Sequence, residues 1–314
     1  MPRRFLVAPD PFKGTFDAGI VAVAIAAGIE DAGAGADRCP VADGGEGTMA
    51  VLLGALGGER RRVEVHDPLR RPIEASFALL GDGETAIVEV AQASGLGLVA
   101  PEERDPERAD TFGTGELIAA AVAGGGSATT DGGRGALEAL QEESALSAAA
   151  IEVLCDVRTP YEDAARVFAP QKGAEAAAVD RLSVRLDRFA GKLPRDPRGV
   201  PMGGCAGGLS GGLWAHGAAL RSGAAFVLET IGFDRRLAEA DAVVSGEGRF
   251  DAQSMAGKIV GEIASRSLQA GKPLHLIVGG VDRGMDPPTA ISSITRAESL
   301  EEMRQAACVS ARKR

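Results

Sequence analysis

Aromatic residues are scarce in this 314-residue chain: one Trp, one Tyr and ten Phe, 4% in all. Its core must therefore be built from Ala, Val, Leu and Ile. Histidine is scarcer still, and His66, His216 and His275 show no metal-ligand spacing. The four cysteines (Cys39, Cys155, Cys205, Cys308) form no CxxC pair, which argues against a zinc ribbon or a thioredoxin-type motif. A chain this long needs no disulfide staples, so free thiols are expected. No apolar run reaches the ~18 residues of a membrane span. The apolar stretch after Met1 stops at Pro9-Asp10, too short for a signal peptide, and a cytoplasmic location is expected. Positive charge is also in deficit. With 34 Lys+Arg against 44 Asp+Glu the net charge is -10, which disfavours nucleic acid as a partner because phosphate-backbone binding needs a basic surface.

Glycine is abundant. The 43 glycines are far above ordinary usage and follow no collagen period. Hydrophobic residues at 45% and charged residues at 25% are ordinary for a globular chain. At ~150 residues per domain, the length suggests about two domains.

Phe5-Leu6-Val7-Ala8 is a short apolar run of the kind found in strands buried on both faces, and Ala18 to Glu30 reads as a helix with Asp17 at its N-cap. A second unit follows, with a strand around Val41, a loop from Asp43 to Thr48, and a helix through Leu56. Near Glu59 the texture changes. Arg62–Val65, Ile73–Leu80 and Thr85–Val90 are strand-like, and Gly81-Asp82-Gly83 signals a hairpin. Alternation returns with a strand at Ala242–Ser245, a loop from Gly246 to Ser254, a helix from about Gly257, and a core strand at Leu274–Val278 followed by Gly279-Gly280. The terminal residues, Ala307 to Arg314, read as a frayed helix. The expected fold class is α/β with two domains. A Rossmann-like parallel-sheet domain is built from both chain ends (1–60 and 234–314), and a mixed α/β domain (61–233) is inserted between them.

Four glycine-rich loops carry polar residues: 43–47, 124–133, 203–208 and 246–251. The second, Gly124-Gly125-Gly126-Ser127-Ala128-Thr129-Thr130-Asp131-Gly132-Gly133, combines free backbone N–H groups with hydroxyl donors, a combination suited to phosphate; a tight turn with helix caps would use the same residues. It is no Walker A loop, since Gly257-Lys258 is followed by Ile259, and the chain has no GxGxxG, HExxH or GxSxG. Lys13, in the first loop, can act as a point charge on an anion. Asp43 and Glu46 are candidate Mg²⁺ ligands or proton acceptors, and equally candidate helix caps. Asp251 and Lys258 flank the start of a helix. The single Trp214 and Tyr161 read as packing residues.

These loops resemble a known family. Val7-Ala8-Pro9-Asp10-Pro11-Phe12-Lys13-Gly14-Thr15 and Pro40-Val41-Ala42-Asp43-Gly44-Gly45-Glu46-Gly47-Thr48 are similar to the start of bacterial type-I glycerate kinases. In the same order follow Gly113–Ile118, Gly125–Gly133, Cys155-Asp156-Val157, Phe168–Ala174 and Gly246–Asp251. The resemblance spans about residues 5 to 280. It implies ATP- and Mg²⁺-dependent phosphorylation of glycerate, with the 2-hydroxyl as acceptor, on a two-domain α/β architecture. Three features depart from the family pattern. No hydrophobic strand precedes Gly124, only a short stretch joins Leu140 to Cys155, and the small-residue loop reads Met202–Gly208.

Within that resemblance, chemistry and loop position suggest roles. Gly125, Gly126, Ser127, Thr129, Asp131, Gly132 and Gly133 would cradle the ATP phosphates. Asp43 and Glu46 would hold Mg²⁺, with Asp131 a further candidate. Asp251 is the first choice, and Asp156 the second, for receiving the hydroxyl proton. Lys13 would neutralise the glycerate carboxylate or the moving phosphoryl group, and Asp10, Lys172, Arg249 and Lys258 would complete the substrate contacts. A homo-oligomer is compatible with this reading. Two alternatives stay open: a kinase of another small hydroxy acid, and a non-catalytic nucleotide-binding homologue suggested by the shortened centre of the chain.

Overall fold

A computed structural model of the chain describes residues 2–12, 14–122, 132–142, 150–255, 257–282 and 288–312. Its strands are β1 (Arg4–Pro9), β2 (Gly35–Arg38), β3 (Gly58–His66), β4 (Pro72–Leu80), β5 (Ala86–Ile87), β6 (Glu152–Cys155), β7 (Ala219–Ser222), β8 (Ala242–Phe250), β9 (Leu274–Val281) and β10 (Ser293–Arg296). The chain divides into two compact units, Met1–Ala55 with Ser222–Arg314, and Leu56–Arg221.

The first unit is a five-stranded parallel sheet in the order β10-β9-β8-β1-β2. The central strands β1, β8 and β9 are apolar because both faces are covered, and Phe5, Leu6, Val7, Val243, Val244, Leu276 and Ile277 are fully buried. The helices Ala18–Asp31 and Leu300–Arg312 pack together beside this sheet; Val21, Ile25, Ile29, Met303 and Ala307 join Phe5, Val7 and Val244 in one core. From β1 the chain winds through a helix to β2 at one edge. From β8 it winds through the helix Ile259–Gln269 to β9 and then to β10 at the other. The order therefore reverses between β1 and β8, and a crevice opens beyond the carboxyl ends of parallel strands at such a point.

Three expectations are corrected here. The second strand is Gly35–Arg38 rather than the segment around Val41. As an edge strand it is only half buried, so it carries Asp37 and Arg38 in place of an apolar run. Strand β8 does not end at Ser245. It continues to Phe250, because Glu247 pairs with Val278 and Phe250 with Val281 of β9. The C-terminal helix is docked through Met303, Ala306 and Ala307 and runs to Arg312.

The second unit contains the antiparallel sheet β3-β4-β5, whose hairpin turns at Gly81-Asp82-Gly83 as expected; Asp82 Oδ1 accepts from the backbone N–H of Glu84 and Thr85. The helix Phe112–Val122 packs on this sheet through Leu117. A further cluster surrounds the fully buried Tyr161 with Ala164, Leu182 and Leu186, consistent with a packing role for that residue.

Candidate active site

A cavity of about 550 Å³ lies in the first unit at the carboxyl edge of its sheet. Asp10 follows β1, Asp43 follows β2, Glu247, Gly248 and Arg249 come from the end of β8, Gly279 from β9, and Asp251 and Lys258 from the connection to the next helix. Phe12 and Phe16 supply an apolar wall and exchange two backbone hydrogen bonds (2.8 and 3.0 Å). The cavity thus gathers carboxylates and two basic side chains where the strand order reverses.

The backbone fixes these groups. Asp10 N–H donates to Gly246 O at 2.8 Å, which extends the β1–β8 pairing past Pro9. Asp43 is 1% exposed and its Oδ1 accepts from Gly45 N–H at 3.0 Å, while Thr48 Oγ1 accepts from Gly44 N–H. Asp251 Oδ1 accepts from the N–H groups of Gln253 (2.8 Å) and Ser254 (3.0 Å), an Asx-type turn leading toward the helix Ile259–Gln269. Lys258 is the residue immediately before that helix.

Glu247 is the group that sequence reasoning missed. It is 7% exposed, and its Oε1 has no hydrogen-bond partner among the described residues. Burial, above all, pushes its carboxyl up to about 7. A hydrogen bond from Ser254 and the charge of Lys258 oppose the rise, and Asp251 and Asp43 add to it. It escaped notice because Gly246–Asp251 reads as a flexible loop. The alternation of Ser245, Glu247 and Arg249 with Gly246, Gly248 and Phe250 was the available sign of a continuing strand.

The expected site residues distribute as follows. Asp10, Asp43, Arg249, Asp251 and Lys258 line this one cavity. Arg249 is exposed, and its Nε donates to Asp282 Oδ1 at 2.8 Å. Glu46 is exposed and is not among the cavity-lining side chains. Asp156, Lys172, Gly132 and Gly133 belong to the second unit, where Asp156 follows β6 and Lys172 ends a short 3-10 turn. Gly132 and Gly133 have φ of 71° and 82°, and a Cβ on Gly132 would stand 2.2 Å from the Tyr161 hydroxyl, so only glycine fits there. Lys13, Gly125, Gly126, Ser127, Thr129 and Asp131 lie outside the described residues. Among the described residues, no group of three or more His, Cys, Asp or Glu is arranged to hold a metal ion by protein ligands alone.

The model of the glycerate kinase family matches residues 5–144 and 141–312. The chain belongs to that family. A glycerate kinase of Haemophilus influenzae is 38% identical, over 88% of this chain and 85% of its own length. The glycerate 2-kinase of Escherichia coli is 34% identical with the same coverage. A crystal structure from Salmonella typhimurium LT2, described as a candidate glycerate kinase 2, superposes with a TM-score of 0.81 at 33% identity, covering 99% of this chain and 98% of that one. The two stretches matched by the family model meet at 141–144, within the short segment between Leu140 and Cys155 noted from sequence. No helix among the described residues is long and apolar enough to cross a membrane.

Proposed function

We propose that this protein transfers the γ-phosphoryl group of ATP to the 2-hydroxyl of D-glycerate, giving 2-phosphoglycerate and ADP. The observation that carries the reading is the cavity at the reversal of strand order, where Asp10, Asp43, Glu247, Asp251 and Lys258 converge in a chain of the glycerate kinase family. The order β10-β9-β8-β1-β2 supports calling the first unit Rossmann-like. A cytoplasmic enzyme acting on a small molecule, without nucleic-acid or membrane partners, is the setting proposed.

Phosphoryl transfer demands positioning and charge neutralisation more than covalent chemistry from the protein. The donor set suits Mg²⁺, which keeps several waters and binds through one or two carboxylates plus substrate phosphates rather than through an all-protein cage. Asp43 would hold it, with Glu46 and Asp131 as further ligands proposed from the motif; when bound, the ion neutralises phosphate charge. Lys258 would pair with an anionic group in the cavity, helped by Lys13 as a second point charge. Asp10 would orient a substrate hydroxyl, and Arg249 would reach an anion by exchanging its contact with Asp282. In the second unit, residues 125–133 are proposed to cradle the nucleotide phosphates through backbone N–H groups and the hydroxyls of Ser127 and Thr129, with Lys172 as an anion contact and Asp156 as a polar partner. The proton leaving the 2-hydroxyl needs a carboxylate acceptor, and Asp251 and Glu247 compete for that role in the first unit.

The test is ³¹P NMR of purified protein with ATP, Mg²⁺ and D-glycerate. A phosphomonoester signal matching 2-phosphoglycerate supports the reading. A 3-phosphoglycerate signal keeps the kinase and overturns the 2-hydroxyl as acceptor, and folded protein giving no product overturns the reaction.

A further inference from the structure

We infer that Glu247, and not Asp251, accepts the proton of the substrate hydroxyl. The inference rests on the kinase reading and names the group that completes it.

The carboxylates of the cavity differ in what already occupies their oxygens. Asp251 Oδ1 takes two backbone N–H groups at 2.8 and 3.0 Å, and these bonds shape the turn ahead of the helix Ile259–Gln269. That oxygen is already engaged by the N–H groups of its own turn. Asp43 Oδ1 is engaged by Gly45 N–H. Glu298 is solvent-exposed, and its backbone is tied to Glu302. Of these four, Glu247 alone combines near-complete burial with an oxygen, Oε1, that no described residue satisfies; the fifth carboxylate, Asp10, is also buried, at 5% exposure, but lies past the end of β1, whereas Glu247 stands within β8. A buried polar atom left without a partner is costly, and such atoms persist where a ligand supplies the missing contact.

Placement supports the same choice. Glu247 stands on a paired strand, held between β1 and β9 through the neighbouring Gly246 and through its own register with Val278. A side chain mounted on a sheet is positioned more tightly than one on a turn, which is what a group meeting a reacting hydroxyl requires. Lys258, whose charge acts on Glu247, lines the same cavity and can hold an anionic substrate beside it.

The step balances. The O–H bond of the substrate hydroxyl breaks and its proton moves to a Glu247 carboxylate oxygen. The freed oxygen bonds to the γ-phosphorus as the bond from that phosphorus to the β–γ bridging oxygen breaks, leaving ADP. The proton then departs from Glu247 to solvent.

The test compares wild type with Glu247→Gln and Glu247→Asp. It measures steady-state turnover of ATP and D-glycerate, Mg²⁺ dependence, and calorimetric binding of D-glycerate in the presence of ADP. The amide cannot take the proton but keeps the size of the side chain. In Glu247→Gln, kcat should fall by roughly 10²–10⁴-fold, with both KM values and calorimetric glycerate binding within about threefold of wild type by the same argument. Glu247→Asp, with the acceptor withdrawn by one methylene, should fall between the two. Wild-type turnover in Glu247→Gln overturns the inference. So does recovery of its activity at high Mg²⁺, which would make Glu247 a metal holder, or loss of glycerate binding in step with kcat, which would make it a binding residue. A wild-type protein that phosphorylates no glycerate overturns the kinase reading itself and this role with it, whereas an active wild type beside an active Glu247→Gln removes only the role.

Discussion

Ser245 Oγ donates to Ala8 O at 2.7 Å, joining β8 to β1 from a fully buried side chain at the reversal of strand order. The bond lies two residues before Glu247 and two before Asp10, so it fixes the strand ends that carry both carboxylates. Replacing Ser245 with Ala should cost about 0.5–1.5 kcal/mol, the usual net value of one intramolecular hydrogen bond. Urea unfolding of the variant measures it. An unchanged midpoint would mean that the ladder alone holds β1 against β8.

The helices Ala18–Asp31 and Leu300–Arg312 touch where Gly28 lies against the backbone of the second helix. A Cβ at residue 28 would stand 1.9 Å from Arg304 O, a backbone atom that cannot swing aside. Gly28→Ala should therefore force the helices apart, at a cost of about 1–3 kcal/mol as for other overpacked sites. Because Gly28 is remote from the cavity lining, kcat per folded molecule should hold while Tm falls. A Tm at or above that of wild type would contradict the contact.

Asp251 shapes the turn through an acceptor oxygen, which the asparagine amide also possesses. Asp251→Asn should retain the turn. Asp251→Ala removes the side-chain acceptor of the Gln253 and Ser254 N–H groups, leaving Ser254 N–H its bond to Asp251 O at 3.1 Å, and should cost about 0.5–1.5 kcal/mol, the usual net value of an intramolecular hydrogen bond. Hydrogen exchange at Gln253, whose N–H is held by Asp251 Oδ1, distinguishes the variants: protection should persist in Asn and fall in Ala. Equal protection in both would remove Asp251 from the turn.

The central strands were legible in sequence because burial on both faces leaves an unbroken apolar run, as at Phe5–Ala8 and Ala242–Val244. The hairpin at Gly81-Asp82-Gly83 was legible from turn chemistry. The edge strand Gly35–Arg38 was not, since half burial tolerates Asp37 and Arg38 where an apolar pattern was sought. The site was half visible. Asp10, Asp43, Asp251 and Lys258 stand out in the sequence by loop position, and the fold places all four around one cavity. Glu247 stayed hidden because its flanking glycines, Gly246 and Gly248, suggest a loop. Only tertiary pairing with β9 makes the segment a strand and buries the carboxylate.

That burial has a thermodynamic signature. The Glu247 carboxyl is raised from 4.5 to about 7 in the fold, mainly by desolvation. A raised acid favours the folded state's protonated form, so its contribution to stability is intact below pH 4.5, where both states are protonated. As pH climbs from there, the unfolded chain ionises first and is stabilised by it in a way that the folded state does not share. The loss is complete once pH exceeds the folded value of about 7. At 1.36 kcal/mol per pKa unit, this amounts to a ceiling of about 3 kcal/mol. Glu247→Gln removes the titration while keeping a buried polar side chain of the same size. In ligand-free protein, the unfolding free energy of wild type should therefore fall relative to Glu247→Gln between pH 5 and pH 7.5, and the two curves should run parallel above pH 8. Urea titrations at half-unit pH steps read the difference directly. Parallel curves across the whole range would mean that Glu247 is ionised and solvated in the fold, and the buried carboxylate at the centre of the proposed chemistry would be lost with it.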